Sequence, residues 1–227
     1  MSRYRHEYKY LVDGARENVL LIRACGILEK DPHTDADGIY LIRSLYFDDY
    51  DDSCLSDNIN GVDERSKFRI RYYNDDHSRL WLEKKSKLHG MTLKESCLIT
   101  PEECMAFMSG SIPDIISEMP EIKKRLFLEM QFRSMTPKVI VSYERMPFIY
   151  PGGNVRVTFD RKITSSNDIG HFLSGIYPFR PVLPHNMSIL EVKWDEILPL
   201  HIKDTMKLDT LQWTTFSKYY MCRTYHL

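Results

Sequence analysis

The sequence contains no Gly-x-x-x-x-Gly-Lys-[Ser/Thr] loop, no Gly-x-Gly-x-x-Gly, no His-Glu-x-x-His and no Gly-x-Ser-x-Gly. A nucleotide, if one is handled, is therefore not held by a P-loop, and neither zincin nor α/β-hydrolase chemistry has a signature here. The 8 histidines show no metal-ligand spacing. Cysteine is sparse and odd in number: Cys25, Cys54, Cys97, Cys104 and Cys222, with no Cys-x-x-Cys pair. That count speaks against a disulfide framework or a zinc site and for reduced thiols. No uncharged run approaches the roughly 20 residues that span a bilayer. The start is charged from Arg3 and resembles neither a signal nor a transit peptide. A cytoplasmic protein without membrane insertion is the expectation. The formal net charge of −1 removes any overall basic excess for nucleic acid. No repeat, linker or low-complexity run divides the 227 residues, so one domain over 1–227 is expected.

What is present is a placed charge. Residues 44–64 carry seven acids (Asp48, Asp49, Asp51, Asp52, Asp57, Asp63, Glu64) and no base, whereas residues 65–94 carry nine bases against three acids. Period two resolves the pattern into strands. Arg65, Lys67, Arg69 and Arg71 share one face, with Phe68, Ile70 and Tyr72 on the other. Arg79, Trp81, Glu83, Lys85 and Lys87 oppose Leu80 and Leu82; Arg156, Thr158, Asp160 and Lys162 alternate with Val155, Val157 and Phe159. Glu191 and Lys193 oppose Leu190, Val192 and Trp194, and Arg3, Arg5, Glu7 and Lys9 alternate with aromatic positions. Further strands are predicted at 39–47, 91–99 and 137–145, with Pro151-Gly152-Gly153-Asn154 as a hairpin turn. Helices are predicted at 14–28 behind an Asp13 cap, at 101–110, at 120–135, and from about 195 to the end; 165–187 reads as short helix and loop. The class is α+β, dominated by antiparallel strands.

One charged strand face is ordinary solvent exposure. Several rows of like charge side by side repel one another, and they become stable when they line a concave surface around a dense anion. A barrel closed with the charged faces inward gives a basic tunnel and removes the sheet edges. Single-stranded nucleic acid is the competing ligand, but it calls for interleaved aromatic platforms; Tyr8, Tyr10 and Tyr72 fall on the apolar faces. A phosphate chain fits better, and no nucleic-acid partner is expected.

Glu7-Tyr8-Lys9-Tyr10, Ser44-Leu45-Tyr46-Phe47-Asp48, Lys67-Phe68-Arg69-Ile70-Arg71 and Leu82-Glu83-Lys84-Lys85 occur in order. Tyr143-Glu144-Arg145, Val155-Arg156-Val157-Thr158-Phe159-Asp160, Leu190-Glu191-Val192-Lys193 and Phe216-Ser217-Lys218-Tyr219 follow. The succession resembles the VTC domain, the polyphosphate polymerase branch of the triphosphate tunnel metalloenzymes. The resemblance implies an antiparallel β-barrel tunnel of about eight strands with helices outside. It also implies transfer of the γ-phosphate of ATP to a growing polyphosphate chain, with Mn²⁺ or Mg²⁺. Matched by motif, Lys9, Arg69, Arg71, Lys85, Arg145, Arg156 and Lys218 would grip phosphates as the catalytic set. Lys67, Lys94, Tyr143, Lys193 and Ser217 would bind substrate, and Glu191 would hold the metal, with Glu7 and Glu83 as the alternatives. An ion pair with Lys193 or Arg156 is the plain structural explanation of Glu191.

Two positions depart from the relatives. The Glu-x-Glu-x-Lys opening of the cyclase and thiamine-triphosphatase branch reads Arg5-His6-Glu7-Tyr8-Lys9 here, which favours the polymerase branch. Thr215 stands where eukaryotic members often have a base. The expected protein is a stand-alone bacterial form without sensor domain or membrane helices. A triphosphatase that passes the phosphoryl group to water would need the same lining, and a silent polyphosphate- or polyanion-binding module is the third reading.

Overall fold

The computed structural model describes residues 4–111 and 118–226; Arg3, placed by sequence on the first charged row, lies outside them. In chain order the elements are β1 (His6–Asp13), α1 (Gly14–Ile27), β2 (Glu29–Lys30), β3 (Tyr40–Asp48), α2 (Ser53–Ile59), β4 (Arg65–Tyr73), β5 (Leu80–Leu88) and β6 (Met91–Ile99). Next come α3 (Pro101–Ser109), α4 (Glu121–Arg133), β7 (Thr136–Tyr150), β8 (Val155–Ser166), β9 (Arg180–Pro181), β10 (Met187–Trp194), α5 (Leu200–Thr205) and α6 (Lys218–Thr224). Local chemistry explains the boundaries. Asp13 caps α1 by accepting from the Arg16 amide. Thr100 and Glu103 form a capping box on α3, which has Pro101 in its first turn.

Eight strands form one antiparallel path in the order β1-β10-β8-β7-β3-β4-β5-β6, with β2 beside β7 and β9 beside β8. The path curls into a half-barrel. Its two edges touch through one bridge, where the Arg5 and Thr92 amides and carbonyls exchange two hydrogen bonds of 2.9 Å. The closed wall expected from the sequence is thus only partly realised among the described residues. In antiparallel register from that bridge, β1 runs away from β6 instead of alongside it.

The apolar faces point outward beneath two layers. Phe68, Ile70, Leu80 and Leu82 pack in one core with Phe107 of α3 and Leu126 and Phe127 of α4. Val157, Phe159, Leu190 and Val192 pack in a second with Leu20 and Ala24 of α1 and Ile202 of α5. Each such side chain stabilises the fold by about 1.5–3 kcal/mol when fully buried, which offsets the repulsion of charges gathered on the concave side.

Two expectations are corrected, and one helix stands where the sequence reading placed no element. The C-terminal stretch is not one helix: α5 and α6 are short and separated by a 3₁₀ turn and extended chain. Pro199 and the left-handed Lys207 interrupt it. In β8 the register slips opposite Ser142 and Glu144. Lys162, at φ +48°, turns out to a solvent-side ion pair with Glu144 of 2.7 Å instead of continuing the inward row. The acidic stretch 44–64 contains a helix, α2, whose first amides at Cys54 and Leu55 donate to the buried Asp48 carboxylate. No helix among the described residues is long and apolar enough to cross a membrane.

Candidate phosphate-binding tunnel

Period two delivers the inward side chains of the strands, so most of the site follows from strand register. A cavity of about 330 Å³ runs through the half-barrel. Lys9, Lys67, Arg69, Arg71, Lys85, Lys94, Tyr143, Arg145, Arg156, Glu191, Lys193, Ser217 and Lys218 all line it, so the residues singled out from the sequence are brought together. Most come from strand rows. Ser217 and Lys218 arrive on α6, which packs against β7 and β8 on the concave side. Ser217 also caps that helix, accepting from the Tyr220 amide.

Four buried carboxylates organise the cations. Asp160, with no exposure, takes a two-pronged pair from Arg145 (2.6 and 2.7 Å) and a 2.5 Å contact from Lys218. Glu83 takes Arg69 Nε at 2.7 Å and Lys94 at 3.0 Å, with Arg71 at 3.8 Å. Glu7 accepts from Lys85 at 2.6 Å and from the Thr92 hydroxyl at 3.2 Å. Glu191 is shared by Lys193 (2.9 Å), Arg145 (3.1 Å), Lys9 (3.4 Å) and Lys218 (3.9 Å). Its pairing with Arg156 does not occur, because Arg156 instead meets Asp31. Forked guanidinium contacts of this kind fix side-chain orientation as well as charge.

The arrangement leaves an excess of positive charge. Burial pushes the Lys67 amine down to about 7, and Lys85 and Lys9 nearby push the same way. Among the described residues Lys67 has the Ser217 hydroxyl at 3.3 Å and the Tyr219 ring at 5.5 Å for partners, and no carboxylate. Lys85 is likewise lowered to about 7, by burial first, and the Glu7 carboxylate opposes the shift. The acids move the other way. Burial alone would raise Glu83, Glu7 and Glu191, yet the cations around each hold its carboxyl well below the usual range. Against burial, the carboxylates beside Lys193 and Lys218 raise those two amines instead. It is therefore Lys67 and Lys85, pushed toward neutrality, that gain most when a dense anion enters.

The structure also places side chains that the sequence reading missed. Tyr46, Tyr73 and Tyr219 line the cavity beside Tyr143. The Tyr46 hydroxyl accepts from Arg69 at 2.8 Å, and the Tyr143 hydroxyl from Arg71 at 3.0 Å. Tyr46 was legible in principle, since it follows Ser44 at period two; Tyr219 was not, since its place depends on how α6 docks. Arg5 lies at the rim, ion-paired with Asp195 at 2.7 Å.

Among the described residues no three His, Cys, Asp or Glu side chains cluster as a metal cage. Two carboxylates do face the tunnel within one patch, Glu191 and Glu7, and Glu7 Oε1 is buried without a hydrogen-bond partner. That donor set fits a hard cation held by one or two carboxylates and completed by phosphate oxygens and water.

The model of one family, the VTC domain, matches residues 4–226. No curated protein matches the sequence. Among solved structures, a Bacillus halodurans protein provisionally named an adenylate cyclase is similar at TM-score 0.54 and 14% identity, covering 94% of this chain and 93% of that one. A Hippeastrum protein, provisionally named an adenylyl cyclase and described as having a dominant triphosphatase activity, is similar at TM-score 0.56 and 14% identity, covering 100% of this chain and 97% of that one. At such identity the likeness is one of fold.

Proposed function

The chain belongs to the VTC domain family, and from that premise we propose that it is a polyphosphate polymerase drawing on ATP. The observation that carries this reading is the continuous set of inward cations whose charge exceeds that of the four carboxylates holding them. Such a lining suits a flexible chain of phosphates. In the reaction, an oxygen of the acceptor's terminal phosphate attacks the γ-phosphorus, the bond from that phosphorus to the bridging oxygen breaks, and ADP leaves. Arg69, Arg71 and Arg145 present forked donors to the non-bridging oxygens, while Lys9, Lys85 and Lys218 act as point charges. Positioning and charge neutralisation supply the rate, with no covalent enzyme intermediate.

The tunnel metalloenzymes depend on a divalent cation, and Glu191 with Glu7 would hold it here. When bound, Mn²⁺ or Mg²⁺ supplies further neutralisation of phosphate oxygens. Asp160 and Glu83 touch no substrate in this reading; they hold Arg145, Lys218, Arg69 and Lys94 in place.

The Hippeastrum neighbour favours a second reading, a triphosphatase that delivers the phosphoryl group to water. Incubation with ATP and Mn²⁺, with products resolved on a polyphosphate gel, separates the two. A ladder of long chains supports the polymerase; free phosphate alone supports the triphosphatase. Arg71→Ala is expected to lower either rate on the order of 10²-fold, and full activity in Arg69→Ala/Arg71→Ala would remove both readings.

A further inference from the structure

The two mouths of the tunnel differ in chemistry. Along the inward rows of β4 and β5 the cross-strand partners run Arg65/Lys87, Lys67/Lys85, Arg69/Glu83 and Arg71/Trp81, and Tyr73 follows Arg71 on the same face. Along these two rows charge falls and aromatic surface rises. At the first mouth Arg65, Lys67, Lys85 and Lys87 line a cleft that has Glu7 as its carboxylate. Tyr8, Trp213 and Phe216 line it too. At the second, a cavity of about 450 Å³ contains Tyr73, Trp81, Arg79 and Asp76, and it shares Tyr73, Arg145 and Arg156 with the tunnel. There Arg156 is tied to Asp31, so the local charge is nearly balanced.

Trp81 stands in the ladder opposite Arg71 and Leu98, but its indole is not part of the packed interior. It belongs to neither core, it is half-buried, and among the described residues it stacks on no other ring. A large indole kept partly in water on the inward face of a charged strand offers a flat apolar surface that a ligand ring can cover. The first mouth has an indole of its own, Trp213, but that ring already meets Tyr8 edge-on at 6.4 Å and stands among lysines. At the second mouth a nucleoside meets a ring with no such neighbour among the described residues. The nucleoside is neutral, and it presents a flat π-face to aromatic side chains.

We propose that Trp81, with Tyr73 beside it, forms the platform for the nucleobase of the substrate, so that the triphosphate runs inward past Arg71 and Arg69. This rests on reading the cavity as a triphosphate tunnel, and it adds that the preferred substrate is a nucleoside triphosphate and not inorganic triphosphate. Because stacking uses a face that every base has, discrimination among bases is expected to be weak.

The test compares ATP with inorganic tripolyphosphate as ligands of the full chain, by calorimetry at fixed salt. Trp81→Ala should weaken ATP on the order of tenfold and leave tripolyphosphate within about twofold, since the phosphate contacts are untouched. Trp81→Phe retains a ring, serves as the folding control, and should recover most of the ATP affinity. Equal weakening of both ligands, or of neither, overturns the platform. If wild-type protein binds neither ligand at low salt, the tunnel reading itself fails, and the platform falls with it.

Discussion

Glu191 divides its two oxygens among four cations, whereas Glu83 is pinned by a two-pronged Arg69 and by Lys94, and this difference decides which carboxylate can exchange a partner for a metal. A carboxylate with several loose contacts loses little when one is replaced, and the phosphate chain can take over the freed amines. Substitution by glutamine keeps size and removes charge. Glu191→Gln is expected to reduce Mn²⁺-dependent turnover on the order of 10²-fold, and Glu7→Gln to weaken it less. Glu83→Gln should act through displaced Arg69 and Lys94, changing substrate affinity more than metal dependence. Normal Mn²⁺-dependent turnover in Glu191→Gln, with loss in Glu7→Gln, would transfer the metal role to Glu7. The sequence identified these acids because each sits two residues before a lysine (Glu7/Lys9, Glu83/Lys85, Glu191/Lys193). It could not rank them, because the rank depends on cations from other strands.

Elements differ in how much of their shape is local. The hairpin between β7 and β8 is written in Pro151-Gly152-Gly153-Asn154. Gly153 adopts φ +73°, and a Cβ there would lie 2.7 Å from the Ile197 carbonyl oxygen. Both the left-handed backbone and the close approach need glycine. Gly153→Ala is expected to cost more than about 1 kcal/mol in urea unfolding, with the same slope against denaturant as wild type; an unchanged midpoint would mean that the turn relaxes freely. Helices α1 and α3 were equally legible, since Asp13 and the Thr100/Glu103 box stop and start the chain through their own side chains. Helix α2 escaped notice because its amides are satisfied by Asp48, which also accepts from the Tyr219 hydroxyl on α6. Only the folded chain joins those three segments.

At the scale of the whole molecule the tunnel behaves as one concentration of charge. On the proposed function, long-chain polyphosphate should bind only the folded state and raise the melting temperature, an effect that shrinks with added salt. Single-stranded DNA of equal charge should raise it less, and equal stabilisation by DNA would favour a nucleic-acid ligand. The pH dependence has a definite sign. Lys67 titrates near 7 in the folded protein, below its unfolded value of 10.5, so between those values the unfolded chain binds more protons. This lysine therefore makes the empty protein more stable as pH rises through that window. Polyphosphate prefers the charged amine, so its binding weakens over the same range. The gain in melting temperature given by polyphosphate is expected to diminish from about pH 6 to about pH 9, measured with long chains whose interior phosphates stay ionised. Glu7, Glu83, Glu191 and Asp160 act oppositely. Their depressed folded-state values contribute stability above the ordinary carboxylate range that is lost as acid protonates them.

By itself the sequence determined the faces of the strands, because side chains alternate at every residue regardless of what the rest of the chain does. Lys67, Arg69 and Arg71 had to share a side, and Phe68, Ile70 and Tyr72 the other. Alternation together with the motif resemblance named thirteen site residues from eight places along the chain, and all of them line one cavity. The tertiary structure alone decided how far the sheet closes, which side chains meet across it, and where α6 enters. Partial closure follows from a register in which β1 and β6 overlap at one bridge. The outward turn of Lys162 follows from a slip between β7 and β8. The tyrosine lining follows from the docking of Tyr219 against Tyr46 across 173 residues of chain. Contacts of that range are set by the relative placement of whole elements, and period-two alternation carries no information about it.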